Sequence, residues 1–206
     1  MHRESPVAAV AGGYAAWSVS SYEQLPSGLP VPADDGAADH LPGRALAPLP
    51  LRSTGGGEVD LGALAGGRTV LYIYPRTGTP GEPLPAGWDG IPGARGCTPE
   101  ACSFRDHHAE LRAAGAAVLG LSAQSGTDQD EAAGRLRLPY PLLADPELQL
   151  AEQLGLPTFS VDGMVLYRRL TLVVRDGVVE HAFYPVFPPD AHAAQVLQWL
   201  REHPAG

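Results

Sequence analysis

The chain reads as an α/β fold: a mixed central sheet covered by helices on both faces, preceded by an irregular arm. Three observations predict this. Residues 69–74 and 117–121 are continuous apolar, β-rich runs, the pattern of strands buried on both faces. Helical patterns with identifiable ends lie between and after those runs. Further on, residues 169–174 and 178–184 flank Asp176-Gly177, a strong hairpin signal.

Residues 1–45 are rich in Pro, Gly, Ala and Asp and show little periodicity, so they are read as the arm, anchored where Tyr14, Trp17 and Tyr22 dock on the body. Residues 46–206 form the domain. Its opening holds a turn at Gly55-Gly56-Gly57 and a short Val59-Asp60-Leu61 segment. The first buried strand, 69–74, runs into a long loop, 75–96, and loops of that length are uncommon unless functional. A helix follows to about Ala114, with Ala101, Phe104, His108 and Leu111 along one stripe and Gly115 ending it. After the 117–121 strand comes a short polar helix, 127–136, whose first turn is acidic with Asp128, Asp130 and Glu131. Leu142-Leu143 is a brief apolar piece, Asp145-Pro146 starts another helix, and Gly155 stops it. Beyond the hairpin, Asp190 is expected to cap a last helix in which Ala193, Val196, Leu197 and Leu200 repeat at helical spacing. The order is β-α-β-α-α-β-β-α. Strands joined through helices must run parallel and the hairpin pair antiparallel, which is the thioredoxin-like arrangement.

With 206 residues, the chain suffices for one domain with a sizeable core. Its 14 Lys+Arg against 23 Asp+Glu give a net charge of −9, which argues against nucleic acid or an anionic membrane as partner. No apolar run approaches the roughly 18 residues of a membrane span. Residues 7–17 are apolar, but Glu4 offsets Arg3 and two glycines interrupt the run, so a signal peptide is not expected and the cytoplasm is.

The two cysteines, Cys97 and Cys102, are five residues apart at the start of a helix. A close pair in such a chain points to catalysis or metal binding rather than to a secreted disulfide framework. Thr98 is read as the N-cap and Pro99 as the first helical residue, which places Cys97 at the positive helix end, where a thiolate is favoured. Residues i and i+5 of an intact helix have Cα atoms roughly 8–9 Å apart. A disulfide tolerates at most about 7 Å, so these sulfurs can bond only if the first turn unwinds. Zinc is not expected: Cys97, Cys102, His107 and His108 point around most of one helix and cannot converge. No cofactor is expected either.

Tyr72-Ile73-Tyr74-Pro75 with Thr79-Pro80-Gly81, followed by the block from Gly96-Cys97-Thr98-Pro99-Glu100 to Ala101-Cys102-Ser103-Phe104-Arg105-Asp106, closely resembles peroxiredoxins of the Q type. The resemblance implies that Cys97 is the peroxidatic cysteine and Cys102 the resolving one, with hydroperoxide as substrate and thioredoxin or a similar dithiol as reductant. It also implies an arginine from a later strand beside the cysteine. Arg169 fits, whereas strand alternation points its neighbour Arg168 to the other face. Family members carry a threonine three residues before the peroxidatic cysteine, and here that residue is Ala94. Thr79 is the expected equivalent, brought to the thiol if the insertion 82–96 loops out with its ends together. Trp88 in that insertion either covers the site or serves a partner. A monomer or homodimer is expected. The rival readings are a thioredoxin-like disulfide oxidoreductase or redox-binding module without peroxidase activity, which the absence of Cys-x-x-Cys weakens, and a non-catalytic interaction domain.

Overall fold

The computed structural model describes residues 25–204, so Tyr14, Trp17, Tyr22 and the apolar stretch 7–17 lie outside the described residues. The strands are β1 (Pro50–Ser53), β2 (Glu58–Asp60), β3 (Arg68–Ile73), β4 (Ala116–Ser122), β5 (Leu142–Ala144), β6 (Thr158–Val161), β7 (Met164–Tyr167), β8 (Leu170–Arg175) and β9 (Val178–Phe183). The helices are α1 (Cys97–Asp106), α2 (His108–Ala113), α3 (Gly126–Leu136), α4 (Gln149–Leu154) and α5 (His192–Glu202). Seven strands form one sheet in the order β2-β1-β5-β4-β3-β8-β9, and β6 and β7 make a separate hairpin. β3, β4 and β5 run parallel, while β8 is antiparallel to β3 and β9 to β8. The thioredoxin-like fold is therefore present.

All six residues of β3 are buried, and its alternation sorts them between two cores. Leu71 and Ile73 join Leu121, Leu172, Leu150 and Leu154 on the face covered by α4. Val70 and Tyr72 join Phe104, Leu111, Val173, Val196 and Leu200 on the face covered by α1, α2 and α5. The second half of the expected arm belongs to the first of these cores. Ala38 and Leu41 are buried there, and Ala45 bridges to Val178 at the edge of β9.

Several expected boundaries differ. The helix expected to run to Ala114 is divided at His107 (φ −94°, ψ 2°) into α1 and α2, although backbone bonds from His107 N to Ser103 O (3.1 Å) and from Leu111 N to His107 O (3.0 Å) continue across the division. The His107 ring Nδ1 bonds to the same Ser103 carbonyl at 2.9 Å, and such side-chain competition displaces the local ladder. α4 begins at Gln149 rather than at Asp145-Pro146. Asp145 nonetheless caps it, its carboxylate accepting from Gln149 N at 2.9 Å and Leu150 N at 3.0 Å. Asp190 does not cap α5: it lies inside a 3₁₀ turn, Pro189–Ala191, that leads into the helix. β2 falls on the expected Val59-Asp60-Leu61 segment, one residue earlier, whereas β1 and the β6–β7 hairpin were not expected.

Candidate active site

α1 starts one residue beyond the carboxyl-end loops of β3, where ligand chemistry gathers in open α/β sheets. Its N-cap is Gly96, not Thr98. Gly96 has φ 104°, and a β-carbon there would lie 2.4 Å from Pro189 Cγ and 2.7 Å from Leu25 Cδ2. Only glycine combines that left-handed backbone with so close an approach. Cys97 is consequently the first helical residue, with Thr98 and Pro99 in the first turn behind it.

Cys97 is only 3% exposed. Leu25 and Pro189 close over Gly96, and Cys97 belongs to the core cluster that holds Tyr72 and Tyr74. The Arg169 Nη2–H donates to Sγ at 3.1 Å, and the thiol points at the Ala94 carbonyl, 3.6 Å away. The backbone N–H of Arg76 also faces the sulfur. Burial pushes the Cys97 thiol up from its ordinary pKa; Arg169 pulls it down, the Glu100 carboxylate pushes it up again, and burial outweighs the rest.

Arg169 immediately precedes β8 and is held from several sides. Its Nη1 donates to the Glu100 carboxylate, its Nε to the Gly93 carbonyl at 3.2 Å, and its Nη2 also to the Ala94 and Arg95 carbonyls at 3.2 Å each. Arg168, its half-buried neighbour, directs its backbone N–H to Pro157 O at 2.9 Å and makes no described contact with Cys97. Glu100 is fully buried, its Oε1 has no hydrogen-bond partner, and burial raises its pKa to about 7 against the pull of Arg169. One buried guanidinium thus faces two groups that both compete for its charge. Cys102 is partly exposed five residues along the same helix, and no disulfide joins it to Cys97.

Thr79 makes no described hydrogen bond to Sγ. It lies in a turn closed by Glu82 N bonding to its carbonyl at 3.1 Å. The insertion packs against the β6–β7 hairpin. It folds inward around Trp88, 3% exposed, which packs with Ala94, Val161 and Leu166 and sets its ring 6.1 Å from that of Phe159. The end of the insertion then lies along Arg169, contributing the three carbonyls. Trp88 serves as the anchor of the loop against the β6–β7 hairpin rather than as an exposed cover.

The loop after β3 is equally fixed. Gln124 Oε1 accepts from Thr77 N at 2.8 Å and Oγ1 at 3.1 Å, and Arg135 Nη2 donates to the Gly78 carbonyl at 2.9 Å. Glu100 is the site residue that the sequence reading missed. Its signal was its place three residues after Cys97, on the same side of the helix.

A helix-start thiol on a thioredoxin-like sheet, paired with a buried guanidinium, defines a thiol redox site. Comparison with known proteins agrees. The family model described as Redoxin matches residues 26–197. Peroxiredoxin Bcp of Escherichia coli (strain K12) is 34% identical over 154 residues, covering 72% of this chain and 87% of that protein. The chloroplastic peroxiredoxin Q of Oryza sativa subsp. japonica is 29% identical over 159 residues, 77% of this chain and 66% of its own length. Among solved structures, peroxidoxin BcpB of Mycobacterium tuberculosis superposes with a TM-score of 0.63 at 30% identity, covering 79% of this chain and 97% of that one. Peroxiredoxin Q of Xanthomonas campestris gives 0.60 at 26% identity, with coverages of 85% and 98%. The chain belongs to the redoxin family, as a peroxiredoxin of the Q/Bcp type. Among the described residues, no helix is long and apolar enough to cross a membrane.

Proposed function

We propose that this chain is a thiol peroxidase that reduces hydrogen peroxide or organic hydroperoxides, with Cys97 as peroxidatic and Cys102 as resolving residue. The observation that carries the reading is the Arg169 guanidinium 3.1 Å from a sulfur at the first position of a helix. The Cys97 thiolate attacks the terminal peroxide oxygen and the O–O bond breaks. Cys97 becomes a sulfenic acid, and the hydroxide or alkoxide released takes up a proton. Charge grows on the departing oxygen, so donors aimed at it lower the barrier, and Arg169 with the free N–H groups of the first turn supply them. Because burial holds the thiol up, the reactive thiolate is a minority near neutrality. It is favoured when Glu100, with a pKa of about 7, carries a proton and leaves the Arg169 charge to the sulfur.

Resolution requires α1 to open. Both cysteines lie on one intact helix, with Cα atoms roughly 8–9 Å apart by helix geometry, beyond the about 7 Å limit of a disulfide. Its first turn is held by Glu100 N bonding to Gly96 O at 3.0 Å and by the Glu100–Arg169 pair. Once these release, the Cys102 thiol condenses with the sulfenic acid, water leaves, and an external dithiol such as thioredoxin reduces the disulfide. We assign the cytoplasm as location, and a monomer or homodimer as the working form. Peroxide consumption tests the function: Cys97→Ser abolishes it, and Cys102→Ser retains it when a small thiol is supplied. Absence of turnover in the parent protein with every dithiol tried rejects the reading.

A further inference from the structure

A second contact between a sulfur and a guanidinium lies away from the cysteines. Of the two methionines in the chain, Met164 is the one within the described residues, and it opens β7. Arg76, in the loop after β3, donates from Nη1 to Met164 Sδ at 3.5 Å. A thioether is a weak acceptor. The Nε of the same arginine is buried and has no hydrogen-bond partner. This guanidinium thus holds a poor acceptor at one nitrogen and none at another, and an unpaired buried donor is costly.

Both residues line a cavity of about 280 Å³ beside the start of α3. A single water needs about 10–15 Å³ of such space, so a hydroperoxide with its substituent fits. Asp128, a carboxylate on the same wall, accepts from Ser125 N at 3.2 Å and Ser125 Oγ at 2.8 Å and makes no described contact with Arg76.

We propose that Met164 is an oxidation site: a hydroperoxide entering this cavity converts its thioether to the sulfoxide, with Arg76 holding the oxygen. A sulfur lone pair attacks one peroxide oxygen and the O–O bond breaks, so the sulfur is oxidised by two electrons and the peroxide reduced. The hydroxide or alkoxide that leaves takes the proton from the oxygen retained on sulfur. The products are the sulfoxide and water or an alcohol. Negative charge grows on the departing oxygen, and a guanidinium N–H that gives up a weak acceptor for it stabilises that charge. Afterwards the sulfoxide oxygen is the acceptor that Arg76 lacks in the reduced protein. Met164 also packs on the cluster of Trp88, Val161 and Leu166, so the new polar group falls where the β6–β7 hairpin meets the insertion. The reaction uses neither cysteine and stands apart from the peroxidase reading.

The test uses the full chain carrying Cys97→Ser and Cys102→Ser, so that no thiol consumes the oxidant, with N-acetylmethionine in the same tube as reference. Hydrogen peroxide is added at neutral pH, and the gain of one oxygen on the peptide that holds Met164 is followed by mass spectrometry. Met164 is expected to oxidise about tenfold faster than the reference, the scale of one hydrogen bond to a charged group. Arg76→Gln in that background, and the unsubstituted Arg76 protein in concentrated urea, should each fall to the reference rate. The comparison with N-acetylmethionine needs no change at Arg76 and so does not depend on how that variant folds. A Met164 rate at or below the reference in the folded protein overturns the inference, as does an acceleration that Arg76→Gln leaves intact.

Discussion

Changing Glu100 to Gln removes a buried negative charge three residues from Cys97 and keeps a carbonyl oxygen to accept from Arg169 Nη1. The Gly93, Ala94 and Arg95 carbonyls, each 3.2 Å from the guanidinium, hold Arg169 in place without the carboxylate. Side chains three apart on a helix are about 6 Å from one another. At an effective dielectric of about 20, two like charges at that distance repel by about 3 kcal/mol. Arg169 sits against both groups and neutralises part of this, so we take about half. Relief of about 1.4 kcal/mol raises the thiolate fraction about tenfold wherever the thiol form predominates. The assay is the rate of Cys97 alkylation by iodoacetamide from pH 6 to 10 in a Cys102→Ser background. The profile of the Gln variant should lie at lower pH, with a rate about tenfold higher at pH 8, where Glu100 is ionised in the parent. An unmoved profile, or one displaced to higher pH, would refute the competition between Glu100 and Cys97 for one guanidinium.

Three further expectations follow from the same geometry. His192 is fully buried with Nε2 2.8 Å from Thr171 Oγ1, and burial lowers its pKa to about 4 from an ordinary 6.5. The unfolded chain takes up a proton between those values and the folded one does not, so stability falls on acidification through that window, by about 2 kcal/mol from pH 7 to 5. His192→Gln should lose this part of the slope in urea unfolding, and an identical slope in the variant contradicts it. Trp88→Ala empties the anchor of the insertion, a change that costs about 3–5 kcal/mol at a well-packed site. Limited proteolysis should then cut within residues 82–96 far sooner than in the parent, and equal resistance would show that the anchor lies elsewhere. Arg169→Lys keeps the charge but loses the fork that meets sulfur, carboxylate and three carbonyls together. Peroxide kcat/KM should fall by about 100-fold or more, and a loss under threefold would mean that charge alone suffices.

The central sheet was legible because its strands are buried on both faces, and such strands are unmistakably apolar: every residue of β3 and nearly every residue of β4 is buried. The β6–β7 hairpin was not seen, although its Asp162-Gly163 turn, with φ of 49° and 76°, carries the same signal as Asp176-Gly177. Its strands are half exposed, so their apolar pattern is faint. Arg169 was told from Arg168 by strand alternation, although both lie in the link between β7 and β8, where Arg169 is the buried one of the two. The burial of Cys97 could not be read locally, since it belongs to a core cluster whose other members, such as Tyr72, Val173 and Ala193, come from distant segments of the chain. The packing of the insertion was hidden for a similar reason. Proline and glycine in the insertion suggested an excursion, and only the contacts of Trp88 with β6 and β7 reveal that the loop turns inward and sets Ala94 beside the thiol.

Everything proposed for the chemistry depends on Cys97 taking oxygen from a peroxide and Cys102 then closing on it. Intact-mass and peptide-mapping mass spectrometry after one equivalent of hydrogen peroxide tests this directly. The account predicts the loss of two hydrogens from the monomer, with Cys97 and Cys102 recovered as one cross-linked peptide, and a trapped sulfenic acid at Cys97 in the Cys102→Ser variant. Recovery of both cysteines as unmodified thiols, or oxidation of Cys102 with Cys97 untouched, would contradict it.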